Sequence, residues 1–120
     1  SGVEAYIFDL LLSGELPPGA ERLRSPGVLF VPSEALIEAA RKWVHGRPGA
    51  NHVTYNNMRE LLASKLAAPK YRKGGGGANG YLWRLTDLRR AWDECASLFP
   101  WSNWPPEPDD YYETPAPSPF

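Results

Sequence analysis

Residues 54–85 read TYNNMRELLASKLAAPKYRKGGGGANGYLWRL, and this segment contains the patterns of a helix followed by a β-hairpin. Thr54 is a preferred helix N-cap and Pro69 cannot continue a helix, so a third helix is predicted between them, over residues 54–66. Its apolar side chains recur at the spacing of one helical face, and they are Met58, Leu61, Leu62 and Leu66. The other face begins with Tyr55, Asn56 and Arg59.

The residues after Pro69 carry the pattern of a basic β-hairpin. A basic run, 70–73, precedes the glycine-rich segment 74–80 and a third segment, 81–85. The side chains of this third segment alternate between two faces, and one face holds Tyr81, Trp83 and Leu85. The sequence therefore predicts two short strands joined by a flexible loop.

Two helices and a short strand are predicted before this stretch. Apolar residues at helical spacing predict a first helix over 3–12, which Gly14 ends. A polar loop, 15–27, then leads to a short apolar strand, 28–31. Ser33 is the expected N-cap of a second helix. The apolar face of that helix holds Leu36, Ile37, Ala40, Trp43 and Val44.

A last helix and an irregular segment are predicted after the hairpin. Thr86 is the expected N-cap of this helix. Its buried face is expected to hold Leu88, Ala91, Trp92, Cys95 and Phe99. Residues 100–120 contain seven prolines and cannot be helical. We expect Trp101 and Trp104 to pack back on the domain.

The order of these elements indicates the fold class. Helix, short strand, helix, helix and basic hairpin is the order of a winged helix. The predicted class is therefore α+β, with a helix-turn-helix core that carries a basic β-hairpin wing. The predicted domain covers residues 3–104, and an irregular, acidic, proline-rich tail covers residues 105–120. In this fold the third helix and the wing contact nucleic acid.

Charge is segregated along a chain whose net charge is only -1. Residues 41–90 hold eleven bases and two acids, residues 1–40 hold two bases and six acids, and residues 91–120 hold six acids and no base. A basic block between acidic ends is typical of a soluble domain that binds a polyanion. The alternative is a basic face that is only solvated.

The composition predicts a globular cytoplasmic protein without a membrane partner. Apolar residues make up 42% of 120 residues, which is enough for one self-supporting core. The single cysteine, Cys95, excludes an internal disulfide and is ordinary in a reducing compartment. The longest apolar runs, 6–12 and 28–31, are too short to cross a bilayer, and no leader pattern opens the chain.

Seven residues are the candidate DNA-binding residues: Tyr55, Asn56, Arg59, Lys70, Arg72, Lys73 and Arg84. Cations suit phosphate contacts, and an asparagine can bond a base edge. The wing cations have no acidic neighbour in sequence before Asp87, so the wing is expected to contribute more affinity than the helix. In the alternative interpretation Asn56 and Asn57 only cap the helix, and the hairpin is a solvated loop.

No catalytic, cofactor or metal site is predicted. Gly75, Gly77 and Gly80 match the spacing of a dinucleotide fingerprint, but a basic segment precedes them and a β-like segment follows. His45, His52 and Cys95 lack a recognisable metal-ligand spacing. The chain is therefore predicted to be a non-catalytic domain that needs no cofactor or metal.

Several of these patterns resemble the C-terminal winged-helix domain of phage and plasmid primase-helicases of the poxvirus type, which have a superfamily-3 helicase core. The matching segments are Val31-Pro32-Ser33-Glu34-Ala35-Leu36, Trp43, residues 54–66, Tyr81-Leu82-Trp83, Leu85 to Trp92 and Trp104-Pro105. The resemblance covers residues 5–104. It implies a DNA-binding accessory domain for replication, with the primase and helicase parts of a longer protein as further partners.

Two other functions stay open. A protein-docking winged helix without DNA contact is one, because Trp83, Trp101 and Trp104 could form an interface. A stand-alone DNA-binding regulator is the other, and it is disfavoured because no dimerisation helix is evident. The terminal Pro119-Phe120 after a run of acids also resembles the recruitment tip of bacterial single-stranded-DNA-binding proteins.

Overall fold

The computed structural model describes residues 2–47, 53–73 and 77–113. Within these ranges four helices accompany one four-stranded antiparallel sheet, which confirms the predicted α+β class. The helices are α1 (Gly2–Ser13), α2 (Ser33–Val44), α3 (Tyr55–Arg59) and α4 (Leu85–Glu94). The strands are β1 (Glu21–Arg22), β2 (Leu29–Pro32), β3 (Lys70–Arg72) and β4 (Asn79–Trp83), in the order β1-β2-β4-β3. None of these helices is long and apolar enough to span a bilayer.

The third helix is not the uniform α-helix that the sequence predicts. Helix α3 continues directly into a π-helical segment, Glu60–Lys65. The Leu66 N–H donates to the Leu61 carbonyl oxygen at 2.9 Å, which is the i to i+5 bond of a π turn. This wider turn brings Leu61 and Leu66 to one side, and both are buried in the core. The predicted apolar face is therefore correct although the helix type is not.

Two predicted N-caps are wrong. Helix α2 follows β2 without a break, so its N-cap is Pro32 and Ser33 is already helical. Helix α4 begins at Leu85, one residue before Thr86. The Leu85 N–H donates to the hydroxyl of Tyr112 at 2.8 Å, so a distant residue satisfies this helix start. Thr54, by contrast, caps α3 as predicted.

Strand β1 lies inside the segment that the sequence predicts as a loop. It has only two residues, Glu21 and Arg22, and both are exposed. Glu21 pairs with Phe30 and Arg22 with Leu29 at the edge of the sheet. Because such a short exposed strand buries no apolar face, its residues carry no alternating pattern that could reveal it.

All four helices and the sheet contribute apolar side chains to one core. Trp83 of β4 is its largest fully buried side chain. Helices α1 to α4 contribute, among others, Ile7, Leu11, Leu36, Ile37, Met58 and Leu88. On the opposite face of the sheet Phe30 packs against Tyr71, with 5.6 Å between the ring centroids.

Residues 95–113 form an irregular strap that packs on the core. Trp104 packs on Phe8 and donates its indole N–H to Asp93 at 2.8 Å, and the Trp101 ring also contacts Phe8, so the predicted packing of both tryptophans is confirmed. The strap continues past residue 104, because Tyr111 is only 3% exposed.

The end of α4 differs from the sequence prediction. The helix stops at Glu94, so Phe99 is 92% exposed instead of buried. Cys95, at the C-cap position, is partly buried against the core. Residues 114–120, with the acidic tail's Pro119-Phe120, lie outside the described residues, as do His52 and Gly75.

Gly80 is expected to reject even the smallest side chain. A Cβ atom at this position would lie 2.2 Å from the Val31 carbonyl oxygen and 2.7 Å from a Phe30 ring carbon. Because the first contact is with the backbone of the paired strand β2, the two strands would have to separate. We expect Gly80→Ala to lower the free energy of unfolding by about 1–3 kcal/mol, measured by urea denaturation. The exposed Ala78→Ser is the control, and equal losses for both variants would contradict this packing argument.

Candidate nucleic-acid interface

A cleft of about 250 Å³ lies between the start of α3 and the β3–β4 hairpin. Six of its lining residues carry polar side chains from these two elements: Tyr55, Asn56, Arg59, Lys70, Asn79 and Tyr81. Four of the seven predicted site residues, Tyr55, Asn56, Arg59 and Lys70, therefore meet at one place.

The exposed face of helix α3 lines the cleft because its opposite face is packed in the core. Thr54 caps the helix by accepting the Asn57 N–H at 3.1 Å, and Met58 is buried. The side chains of Tyr55, Asn56 and Asn57, which lie between Thr54 and Met58, are consequently exposed. Arg59 donates to the Asn56 side-chain oxygen at 3.1 Å, so this contact orients both groups at the cleft.

The hairpin brings its cations to the cleft through its register. Lys70 pairs with Tyr81 and Arg72 pairs with Asn79 across the antiparallel strands. Directly opposite residues share a face of the sheet, so both cations lie on the face that lines the cleft. Tyr71 lies on the other face, against Phe30. Arg72 thus extends the positive edge of the cleft by one residue pair.

Two predicted site residues lie elsewhere. Lys73 forms an ion pair with Glu21 of β1 at 2.5 Å, although no acid lies near it in sequence. Arg84 is the exposed N-cap of α4, after the end of β4, and does not line the cleft. The structure therefore separates Lys73 and Arg84 from the other five candidates.

The floor of the cleft is a buried hydroxyl that the sequence analysis did not select. Tyr81 is 5% exposed, and Ser33 lines the same cleft. Burial raises the pKa of the Tyr81 hydroxyl, and the charge of Arg59 and the nearby Ser33 side chain oppose that rise. This hydroxyl is therefore a neutral hydrogen-bonding group at physiological pH. Asn79 was also missed, and the only signal was its place two residues before Tyr81 on the alternating strand.

Six cations of the basic block already contact acids, carbonyl oxygens or aromatic rings of the same chain. Three of its cations form ion pairs, namely Lys65 with Glu4, Lys73 with Glu21 and Arg90 with Asp87. Three more bind a backbone carbonyl or cover an aromatic ring, and these are Arg41, Arg47 and Arg89. Arg59, Lys70 and Arg72 are three of the five cations that remain, and all three lie at or beside the cleft.

A second surface bears on the docking alternative. An apolar groove of about 440 Å³ is lined by Phe8, Trp92, Phe99 and Trp101, among others. Trp101 is 43% exposed, whereas Trp83 is completely buried and cannot form an interface. Of the three tryptophans proposed for docking, only Trp101 lines this groove.

Comparisons with protein-family models, with curated proteins and with solved structures return no match to this chain. The resemblance to primase-helicase domains therefore stays a prediction. In the described ranges no three His, Cys, Asp or Glu side chains are grouped so that they could hold a metal ion.

Proposed function

We propose that this chain is a winged-helix domain that binds DNA through the cleft between α3 and the β3–β4 hairpin. The observation that carries the proposal is the convergence of Arg59, Lys70 and Arg72 beside amide and hydroxyl groups, with no acid among the described residues that line the cleft. Cations of this kind bind phosphates, while amides and hydroxyls bond sugars and bases.

The topology supports the winged-helix interpretation. Along the chain, α1, β2, α2 and α3 precede the hairpin, and β2 pairs with β4 so that β3 lies at the sheet edge. This arrangement leaves one side of α3 and the hairpin exposed next to each other, as a wing beside a recognition helix requires. The family resemblance adds the hypothesis that the domain is a non-catalytic accessory module of a phage or plasmid replication protein.

Salt dependence tests the proposal. We expect the logarithm of the DNA association constant to fall steeply with the logarithm of salt concentration, by about 0.7–0.9 per phosphate contact. If Arg59, Lys70 and Arg72 each bind one phosphate, changing all three to Ala should reduce this slope by about 2–3 units. Fluorescence anisotropy with a labelled oligonucleotide measures both slopes.

A second triple variant provides a control with the same change in charge. Lys73, Arg84 and Arg90 are exposed cations outside the cleft, and changing them to Ala should leave the slope almost unchanged. Neither triple variant should have a much lower melting temperature than the parent, because exposed cations contribute little to stability. Equal slope losses in the two variants would remove the cleft from the mechanism.

The docking alternative has its own specific observation. Phe99 and Trp101 are exposed at the apolar groove. Binding of a protein partner through these rings would hardly respond to salt concentration. It would be lost in a Phe99→Ala, Trp101→Ala double variant. A parent protein that binds DNA with a flat salt response, or does not bind it, would favour this alternative.

A further inference from the structure

Tyr55 is an exposed aromatic ring at the edge of the cleft. It is the first residue of α3 and is 52% exposed. The ring pairs found among the described residues do not include it, whereas Tyr6, Tyr71, Tyr111 and Tyr112 each contact another ring. Its face is therefore available to a ligand that enters the cleft.

The shape of the cleft distinguishes between paired and unpaired nucleic acid. A duplex presents its base edges inside a major groove about 12 Å wide, and a protein reaches them with a projecting helix. Here Tyr55, Asn56 and Arg59 of α3 and Lys70 and Asn79 of the hairpin line one cleft of about 250 Å³, so a ligand group must enter the space between the two elements to contact both. A base that is stacked in a duplex cannot enter such a space, but an unpaired base can.

The groups around the cleft suit one unpaired nucleotide. Aromatic rings stack on bases of any sequence, and cations beside them hold the backbone of the strand. Arg59 and Lys70 line the same cleft as the Tyr55 ring. Asn56 and Asn79 supply amides that can bond the edge of a stacked base.

We infer that the cleft receives an unpaired base of single-stranded DNA, stacked on Tyr55, with the flanking phosphates bound by Arg59 and Lys70. This inference rests on the proposed function and narrows its substrate class from DNA in general to single-stranded DNA or single-stranded regions of a fork. The protein would then prefer a single strand over a duplex of the same sequence.

The test compares three ligands by fluorescence anisotropy at fixed salt. They are an oligothymidine of about 12 nucleotides, a blunt duplex of that length, and an abasic strand with the same backbone. We expect the oligothymidine to bind most tightly. Tyr55→Ala should weaken oligothymidine binding about 5- to 150-fold and leave the salt slope unchanged, because stacking involves no charge. The same variant should bind the abasic strand as the parent does.

Two variants serve as controls. Tyr55→Phe retains the ring and should retain most of the affinity for oligothymidine. Phe99→Ala removes another exposed ring, which does not line the cleft, and should leave that affinity unchanged. If the duplex binds as tightly as the single strand, or if Tyr55→Ala weakens abasic and base-bearing strands equally, the stacking inference is wrong while DNA binding stands. If no ligand binds, the proposed function is wrong as well.

Discussion

Replacing Tyr111 with alanine is expected to lower the free energy of unfolding by about 3–5 kcal/mol, the usual range for removing a large buried aromatic side chain. The Tyr111 hydroxyl accepts the indole N–H of Trp83 at 2.8 Å, and both side chains are buried. The variant would therefore leave a cavity and an unpaired polar group in the core. Urea denaturation of the chain measures the loss.

Tyr111→Phe separates the two contributions. This variant keeps the ring and removes only the hydroxyl, so we expect a loss of about 1–3 kcal/mol from the unsatisfied Trp83 indole. Burial also raises the pKa of the Tyr111 hydroxyl, and the hydrogen bond from Trp83 opposes that rise. A loss below about 1 kcal/mol for Tyr111→Ala would show that the strap contributes little to the core.

Arg89→Ala is expected to lower the free energy of unfolding by about 2–4 kcal/mol, because two backbone carbonyls would lose a charged donor. Arg89 is 5% exposed and donates to the carbonyl oxygens of Leu11 at 2.9 Å and Pro105 at 2.7 Å. Leu11 lies in the last turn of α1, where the exposed carbonyls of a helix favour a cation. The guanidinium group also lies 5.6 Å from the centroid of the Trp104 ring.

The neighbouring Arg90 is the matched control. Its side chain is 64% exposed and pairs with Asp87 of the same helix, so Arg90→Ala should change the free energy of unfolding by less than about 1 kcal/mol. Arg89→Lys should be nearly as destabilised as Arg89→Ala, since one ammonium group does not reproduce the planar fork that reaches both carbonyls. Thermal melting of the three variants decides the matter, and equal melting temperatures for Arg89→Ala and Arg90→Ala would refute this role.

The elements that the sequence predicts well are those with strong local patterns. Met58, Leu61 and Leu62 recur at helical spacing and are buried, and the alternation of Tyr81 and Trp83 places both in the core. The misplaced start of α4 has a tertiary cause. The N–H of Leu85 is satisfied by Tyr112, which lies 27 residues away, so a local search for a capping side chain selects the wrong residue.

The candidate site was predictable in part for the same reason. Tyr55, Asn56 and Arg59 follow from one helical turn, and Lys70 follows from the hairpin pattern. The separation of Lys73 could not be predicted, because its partner Glu21 lies 52 residues earlier in a strand without a pattern. A count of charges along the sequence also treats Arg89 as a surface cation, although it is almost completely buried.

The contact between Trp83 and Tyr111 also sets an order of events during synthesis. The indole N–H of Trp83 cannot form this hydrogen bond until Tyr111 has been translated, 28 residues later. At about 5–20 residues per second, that interval is about 1–6 s, during which the nascent core has one open side. Such exposed apolar surface is what chaperones bind and what causes aggregation. A nascent chain from which Trp83 has emerged but Tyr111 has not would thus present an incomplete core, and emergence of the strap would complete it.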